Sequence, residues 1–137
     1  MNCLKLNGRP AKIPIHKYMI KWDKPACSKF QTSIQNFFYP FWRSHVVGVE
    51  VYMPGTLYRF DLVNFTSKII IESSWDQHTK FNKFFHKTRN NFFKQIKRDL
   101  LKEQWAELNG FTLIHIYNDE LKDLSYDWVL EKFGIEL

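Results

Sequence analysis

Asp61 and Glu72 stand inside two otherwise apolar runs, in the stretch RFDLVNFTSKIIIESSWDQH that covers residues 59–78, and His78 lies just past the second run. Two carboxylates and an imidazole are groups that can hold a divalent cation and move a proton, because Asp and Glu supply hard oxygen ligands and histidine titrates at about 6.5. A buried carboxylate is costly unless it is paired, protonated or metal-bound, so these two acids demand something cationic between them. Asp99 is the lone acid of the basic run 80–102. Each group also has a plainer explanation: lysines neutralising Asp61 and Glu72, a surface role for His78, and a local ion pair of Asp99 with Arg98. Glu50 and Arg59, in turn, can form a cross-strand salt bridge.

The elements that must position these groups follow from hydrophobic periodicity. Ser28 can cap a helix carrying Phe30, Ile34, Phe37 and Phe38, expected to end before Pro40. Residues 46–53 alternate, which predicts a strand with Val47, Val49, Val51 and Met53 on one face. Pro54-Gly55 turns the chain into a second strand over 57–65, and Thr66-Ser67 into a third over 68–74. With Thr66 and Ser67 central, Phe65 opposes Lys68 and Asp61 opposes Glu72. Four-residue loops leave the acids diagonal on one face, whereas three- or five-residue loops separate them. Centring the first turn on Pro54-Gly55 sets Gly48 opposite Asp61 and Glu50 opposite Arg59.

Phe92, Phe93, Ile96, Leu100 and Leu108 predict the inward stripe of a helix over about 89–108, stopped at Asn109-Gly110. FTLIHIY, residues 111–117, reads as a fourth strand. A last helix over about 122–133 would turn Leu121, Leu124, Trp128 and Phe133 inward. The expected fold class is α/β with a mixed sheet. Residues 1–26, broken by Pro10, Pro14 and Pro25, read as an irregular basic arm with a short strand around 17–22, and residues 27–137 as one domain.

A chain of 137 residues with 45% hydrophobic content can bury one core. Bilayer-spanning length, about 20 apolar residues, is reached nowhere, so no membrane role is expected. Cys3 and Cys27 make neither a disulfide framework nor a paired metal knuckle, and no apolar leader precedes them, which points to a reducing, cytoplasmic setting. The net charge of +6 is unevenly spread: residues 1–45 hold eight Lys/Arg against one acid, and residues 80–102 repeat that balance. Residues 46–79 hold two bases against four acids, and residues 103–137 two against eight. Basic flanks around an acidic centre suit a polyanion held over a metal site, although solvated basic faces would leave the same imprint.

Taken in order, Gln31 on the first helix, Asp61 and Glu72 on adjacent strands, His78 beyond the third strand and Asp99 on the next helix resemble the PD-(D/E)xK nuclease superfamily, specifically its EDxHD branch. That branch includes the very-short-patch mismatch-repair nicking endonucleases and phage-type homing endonucleases. The resemblance runs over residues 28–118 and implies a restriction-endonuclease-like core of order αβββαβ. It assigns metal binding to Asp61 and Glu72, and further catalytic roles to His78 and Asp99. The chain departs from the pattern in reading Glu72-Ser73-Ser74 where the superfamily has Glu-x-Lys, so His78 would replace the lysine. The first-helix glutamate is also missing; Gln31 stands nearest, with Glu50 as its substitute. Two cysteines cannot rebuild the structural zinc site of the repair nickases, which favours the phage-type enzymes.

The resemblance thus implies an intracellular, Mg²⁺-dependent (Mn²⁺ as substitute) endonuclease of the homing type acting on double-stranded DNA. Lys80, Lys83, His86, Lys87, Arg89 and Lys94 would contact phosphates, and a homodimer is one way for so small a core to cut both strands. Phe81, Phe84 and Phe85 can pack in the core or wedge between bases, and the five tryptophans read as packing residues. A structure-selective nuclease or junction resolvase, a ribonuclease, and a non-catalytic DNA-binding module on the same fold are the alternatives.

Overall fold

In the computed structural model, which describes residues 1–74 and 89–137, a four-stranded mixed sheet carries helices on both faces. A small hairpin, β1 (Asn2–Leu4) with β2 (Pro10–Lys12), precedes a short 3₁₀ turn and helix α1 (Lys29–Trp42). Strands β3 (Val47–Tyr52), β4 (Arg59–Asn64) and β5 (Ile69–Ser74) form an antiparallel meander, and helix α2 (Arg89–Leu108) leads into β6 (Thr112–Tyr117), which pairs parallel to β5. Helix α3 (Tyr126–Phe133) follows. The sheet order is β3-β4-β5-β6. Among the described residues no helix is long and apolar enough to cross a membrane.

The Ser28 hydroxyl accepts from the Gln31 N–H at 3.1 Å, as an N-cap should. Phe30, Ile34, Phe38 and Trp42, each one turn further on, are the buried stripe of α1. Contrary to the expected stop, α1 runs through Pro40 to Trp42. Pro40 removes one hydrogen bond, near the helix end, while Trp42 stacks on Phe38 at 4.2 Å and is 1% exposed, a burial that outweighs the lost bond.

Helix α2 is rotated from its expected orientation. Its buried residues are Lys102, Trp105 and Ala106, whereas Phe93, Ile96, Leu100 and Leu108 face outward. Trp105 packs at 5.3 Å from Phe60 and 5.5 Å from Phe111, so one large indole settles the rotation against four smaller side chains. The last helix begins at Tyr126, later than expected, because residues 118–123 form a 3₁₀ helix; Val129 is its buried residue, with Leu121, Leu124 and Phe133 partly buried around it.

The basic first segment is docked on the core. Cys3 and Ile13 are buried, and the Asn109 side chain accepts from the Leu4 N–H at 2.7 Å and donates to its carbonyl at 3.0 Å. In place of the expected strand over 17–22 there is a single bridge, Met19 to Gly48, along the free edge of β3.

Two apolar clusters, one on each face, flank the sheet. Ile69 and Ile71 on β5 point toward α1 and Ile70 toward α2, the continuous apolar run of a strand buried on both sides. On β3 the alternation breaks. Val47 and Val49 pack on the α1 side but Val51 and Met53 on the α2 side, so the expected single face is divided between the two clusters. The break falls at Glu50, whose φ of 51° is a left-handed conformation costing a non-glycine residue about 1–3 kcal/mol.

Candidate active site

The β3–β4 ladder pairs Val49 with Leu62 and Val51 with Phe60, skipping the level between, where Glu50 and Asp61 oppose each other. This register lies two residues from the one centred on Pro54-Gly55. Gly48 therefore faces Val63 rather than Asp61, and Arg59 faces Tyr52 rather than Glu50. No open space stands beside Asp61 on this account: a Cβ on Gly48 would meet side-chain atoms of Phe65, Val51 and Tyr18 at 3.1–3.2 Å. Glu50 and Arg59 still make a salt bridge, diagonally, at 3.7 Å.

Between β4 and β5 the register is the expected one. Leu62, Val63 and Asn64 pair with Ile71, Ile70 and Ile69, which continued one step sets Asp61 opposite Glu72. The ladder stops there because the Asp61 carboxylate replaces its backbone: Oδ2 accepts from the Ser73 N–H at 2.9 Å and from the Ser73 hydroxyl at 2.8 Å. β5 continues alongside β6 to Ser74. Beside this divergence lies a polar recess of about 350 Å³ that includes Glu50, Asp61, Glu72, Asp99, Lys102 and His115.

Lys102 supplies the cation that buried Glu72 requires, while Asp61 is only partly buried and is held by Ser73. Its Nζ donates to Glu72 Oε1 at 2.6 Å and to the Arg59 carbonyl at 2.6 Å, and both charged residues of the pair are buried. Burial pushes the Glu72 carboxyl up to about 8, helped by the neighbouring Asp61, and the opposing pull of Lys102 does not cancel the rise. Burial, then the Asp61 charge, also raises Glu50, which Arg59, Lys102 and a hydrogen bond from Gln31 partly offset. At neutral pH the Glu72 carboxyl is therefore held toward its protonated form, close against the Lys102 ammonium.

Of the residues singled out in sequence, the fold gathers Glu50, Asp61, Glu72 and Asp99 around one recess, with Gln31 at its border. Gln31, in the first turn of α1, lines a small adjoining recess with Asp61 and Ser73 and hydrogen-bonds Glu50, so both substitutes for the absent helix glutamate are present together. Asp99 pairs with Arg98 Nε at 3.4 Å, the local ion pair foreseen for it. Arg89 and Lys94 are exposed on the first half of α2. His78, Lys80, Lys83, His86 and Lys87 lie outside the described residues, as do Phe81, Phe84 and Phe85.

Two site residues escaped the sequence. Lys102 looked like one more solvated lysine of a basic run; the overlooked signal was its helical spacing to Trp105 and Ala106. His115 sits beside Glu72 in the parallel register, and its signal was its place between Ile114 and Ile116, which face the other side.

Among the described residues no three His, Cys, Asp or Glu side chains form a group that could hold a metal. An all-protein cage is thus absent from them. Mg²⁺, however, is commonly held by one or two carboxylates with water and substrate phosphate completing its shell, and Asp61 with Glu72 fit that requirement.

No family model matches the chain, and no solved structure matches it. Its similarity is to uncharacterized protein 033L of Invertebrate iridescent virus 3, at 29% identity over 100 residues, covering 72% of this chain and 50% of that protein. The chain spans about half the length of this viral relative.

Proposed function

We propose that the chain is a metal-dependent nuclease whose centre is the recess around Asp61, Glu72 and Lys102, on a restriction-endonuclease-like arrangement of the sheet. The observation that carries this is the Asp61–Glu72 pair: two carboxylates set opposite each other where β4 leaves β5, one of them raised to about 8 with a buried lysine against it. Stability alone is better served by an apolar side chain at the Glu72 position, so a desolvated carboxyl beside a second acid supports a functional reading of this centre. Asp61 and Glu72 would hold Mg²⁺, which supplies positive charge against phosphate oxygens and acidifies water.

The residues of the chain have definable tasks. Ser73 fixes Asp61 through two hydrogen bonds, Lys102 can turn its ammonium toward a phosphate oxygen, and His115 places an imidazole next to Glu72 for proton transfer. Arg98, Lys94 and Arg89 on α2 offer cations to the DNA backbone. A stand-alone, homing-type endonuclease on double-stranded DNA is the specific form proposed.

One observation favours a second reading. The Glu72–Lys102 pair is already closed, as in a fold that keeps the acid for structure and binds nucleic acid without cutting it. Cleavage of plasmid and branched DNA with Mg²⁺, Mn²⁺ or EDTA separates the two. The nuclease loses at least about 100-fold in rate with Asp61→Asn and about 10- to 100-fold with His115→Gln, while DNA affinity is kept. Undiminished cutting by both variants would overturn the proposal, and tight binding with no cutting in either metal would favour the binding module.

A further inference from the structure

On the flank of α1, away from its buried stripe, Trp22, Asp23, Asn36, Tyr39 and Arg43 line an open recess of about 690 Å³. Ligand sites are commonly about 300–1,000 Å³, so the space is ample for a nucleotide. The half-buried Trp22 ring packs edge-to-face against Tyr39 at 5.4 Å and 62°, so the pair forms one aromatic wall of the recess. The rest of the lining is an amide that both donates and accepts, Asn36, the Asp23 carboxylate and the Arg43 guanidinium. Aromatic faces bounded by such groups suit the flat ring and polar edge of a nucleobase.

The recess is built in advance. Ile20 N–H donates to the Val47 carbonyl at 2.9 Å, Val49 N–H to the Tyr18 carbonyl at 2.9 Å, and Lys24 N–H to the Lys21 carbonyl at 3.0 Å, so the turn carrying Trp22 and Asp23 is fastened to the edge of β3. Exposed Lys21 and Lys24 flank it. Its position suits a strand rather than a free nucleotide. Gln31, beside Asp61, and the residues Asn36 and Tyr39 share α1, and at about 1.5 Å per residue they are separated by roughly 8–12 Å along its axis. At about 3.4 Å per nucleotide this axial offset sets a minimum reach of about two to four nucleotides, to which the turn of the helix adds.

We infer that this recess is a subsite for an unstacked base of a nucleic-acid strand whose backbone passes the carboxylate centre. It rests on the proposed nuclease reading for the neighbouring centre, and it gives that centre a preference for substrates with an unpaired base near the scissile phosphate.

Binding in EDTA, where no cutting occurs, tests it, with fluorescence anisotropy of a labelled duplex carrying one unpaired base and of a fully paired duplex of equal length. The wild type is expected to hold the first about tenfold more tightly, the change that one base–aromatic contact carries. Trp22→Ala should abolish that preference, and the exposed Tyr39→Ala and Asn36→Ala, which leave the core untouched, should reduce it severalfold with paired-duplex affinity unchanged. Equal affinities for the two duplexes in the wild type, or a preference that survives all three substitutions, would overturn the subsite even if cleavage is observed. A preference lost in the variants without cleavage in Mg²⁺ would uphold the subsite and remove the nuclease reading.

Discussion

Replacing Lys102 with methionine removes an ammonium from the interior while keeping the length of its stem, and the cost should depend on pH. In the wild type Nζ donates to Glu72 and to the Arg59 carbonyl, both at 2.6 Å. Hydrogen bonds from a charged donor contribute about 1.5–3 kcal/mol each, and breaking one side of a buried ion pair costs about 3–5 kcal/mol, so about 4 kcal/mol is at stake when Glu72 is ionised. Below about pH 7 the Glu72 carboxyl, raised to about 8, stays protonated and the loss shrinks to about 1–2 kcal/mol. A carboxyl whose folded value lies above its unfolded one binds more protons in the folded state. Wild-type stability must then be greatest below pH 4.5 as far as Glu72 is concerned and fall as pH rises from 4.5 to about 8, by at most about 5 kcal/mol at about 1.4 kcal/mol per pH unit. Without the pull of Lys102 the fall extends to higher pH. Urea unfolding followed by tryptophan fluorescence in EDTA, at about pH 6 and about pH 9, measures both slopes, and Glu72→Gln should flatten them. A Lys102→Met penalty equal at the two pH values would refute the electrostatic account of this pair.

If the proposed metal site is real, millimolar Mg²⁺ should stabilise the wild type above pH 7, by about 2.7 kcal/mol at a hundredfold excess over its dissociation constant, and a scan in which Asp61→Asn gains as much as the wild type would contradict the proposed ligands. Trp105→Ala should cost about 3–5 kcal/mol, whereas Leu100→Ser, on the outward face of α2, should stay within about 0.5 kcal/mol; denaturation midpoints reversed in order would place the helix the other way round. Glu50→Gly should be neutral or stabilising by up to about 1 kcal/mol, because glycine accepts a φ of 51°, while Glu50→Val should destabilise by more than about 1 kcal/mol. Thermal unfolding in which valine is tolerated as well as glycine would remove the kink from β3.

The sequence by itself determined the α/β class with its mixed sheet and the β4–β5 register, because period-two alternation and a short Thr66-Ser67 turn leave little freedom in where β5 meets β4. It equally indicated a cation for the acids, and buried Glu72 has one, whereas partly buried Asp61 is satisfied by Ser73. Tertiary structure alone decided which cation. Lys102 is thirty residues beyond Glu72, and it arrives only because Trp105 turns α2 toward Phe60 and carries the lysine inward with it. The same holds for His115, brought to Glu72 by parallel pairing across a long connection, and for Glu50, whose left-handed backbone exchanges the faces of β3. Local periodicity records which side chains are apolar. It does not record which of two apolar stripes a large indole will displace from the core, or where one residue breaks a strand's alternation, because those outcomes depend on the packing of partners distant in the chain.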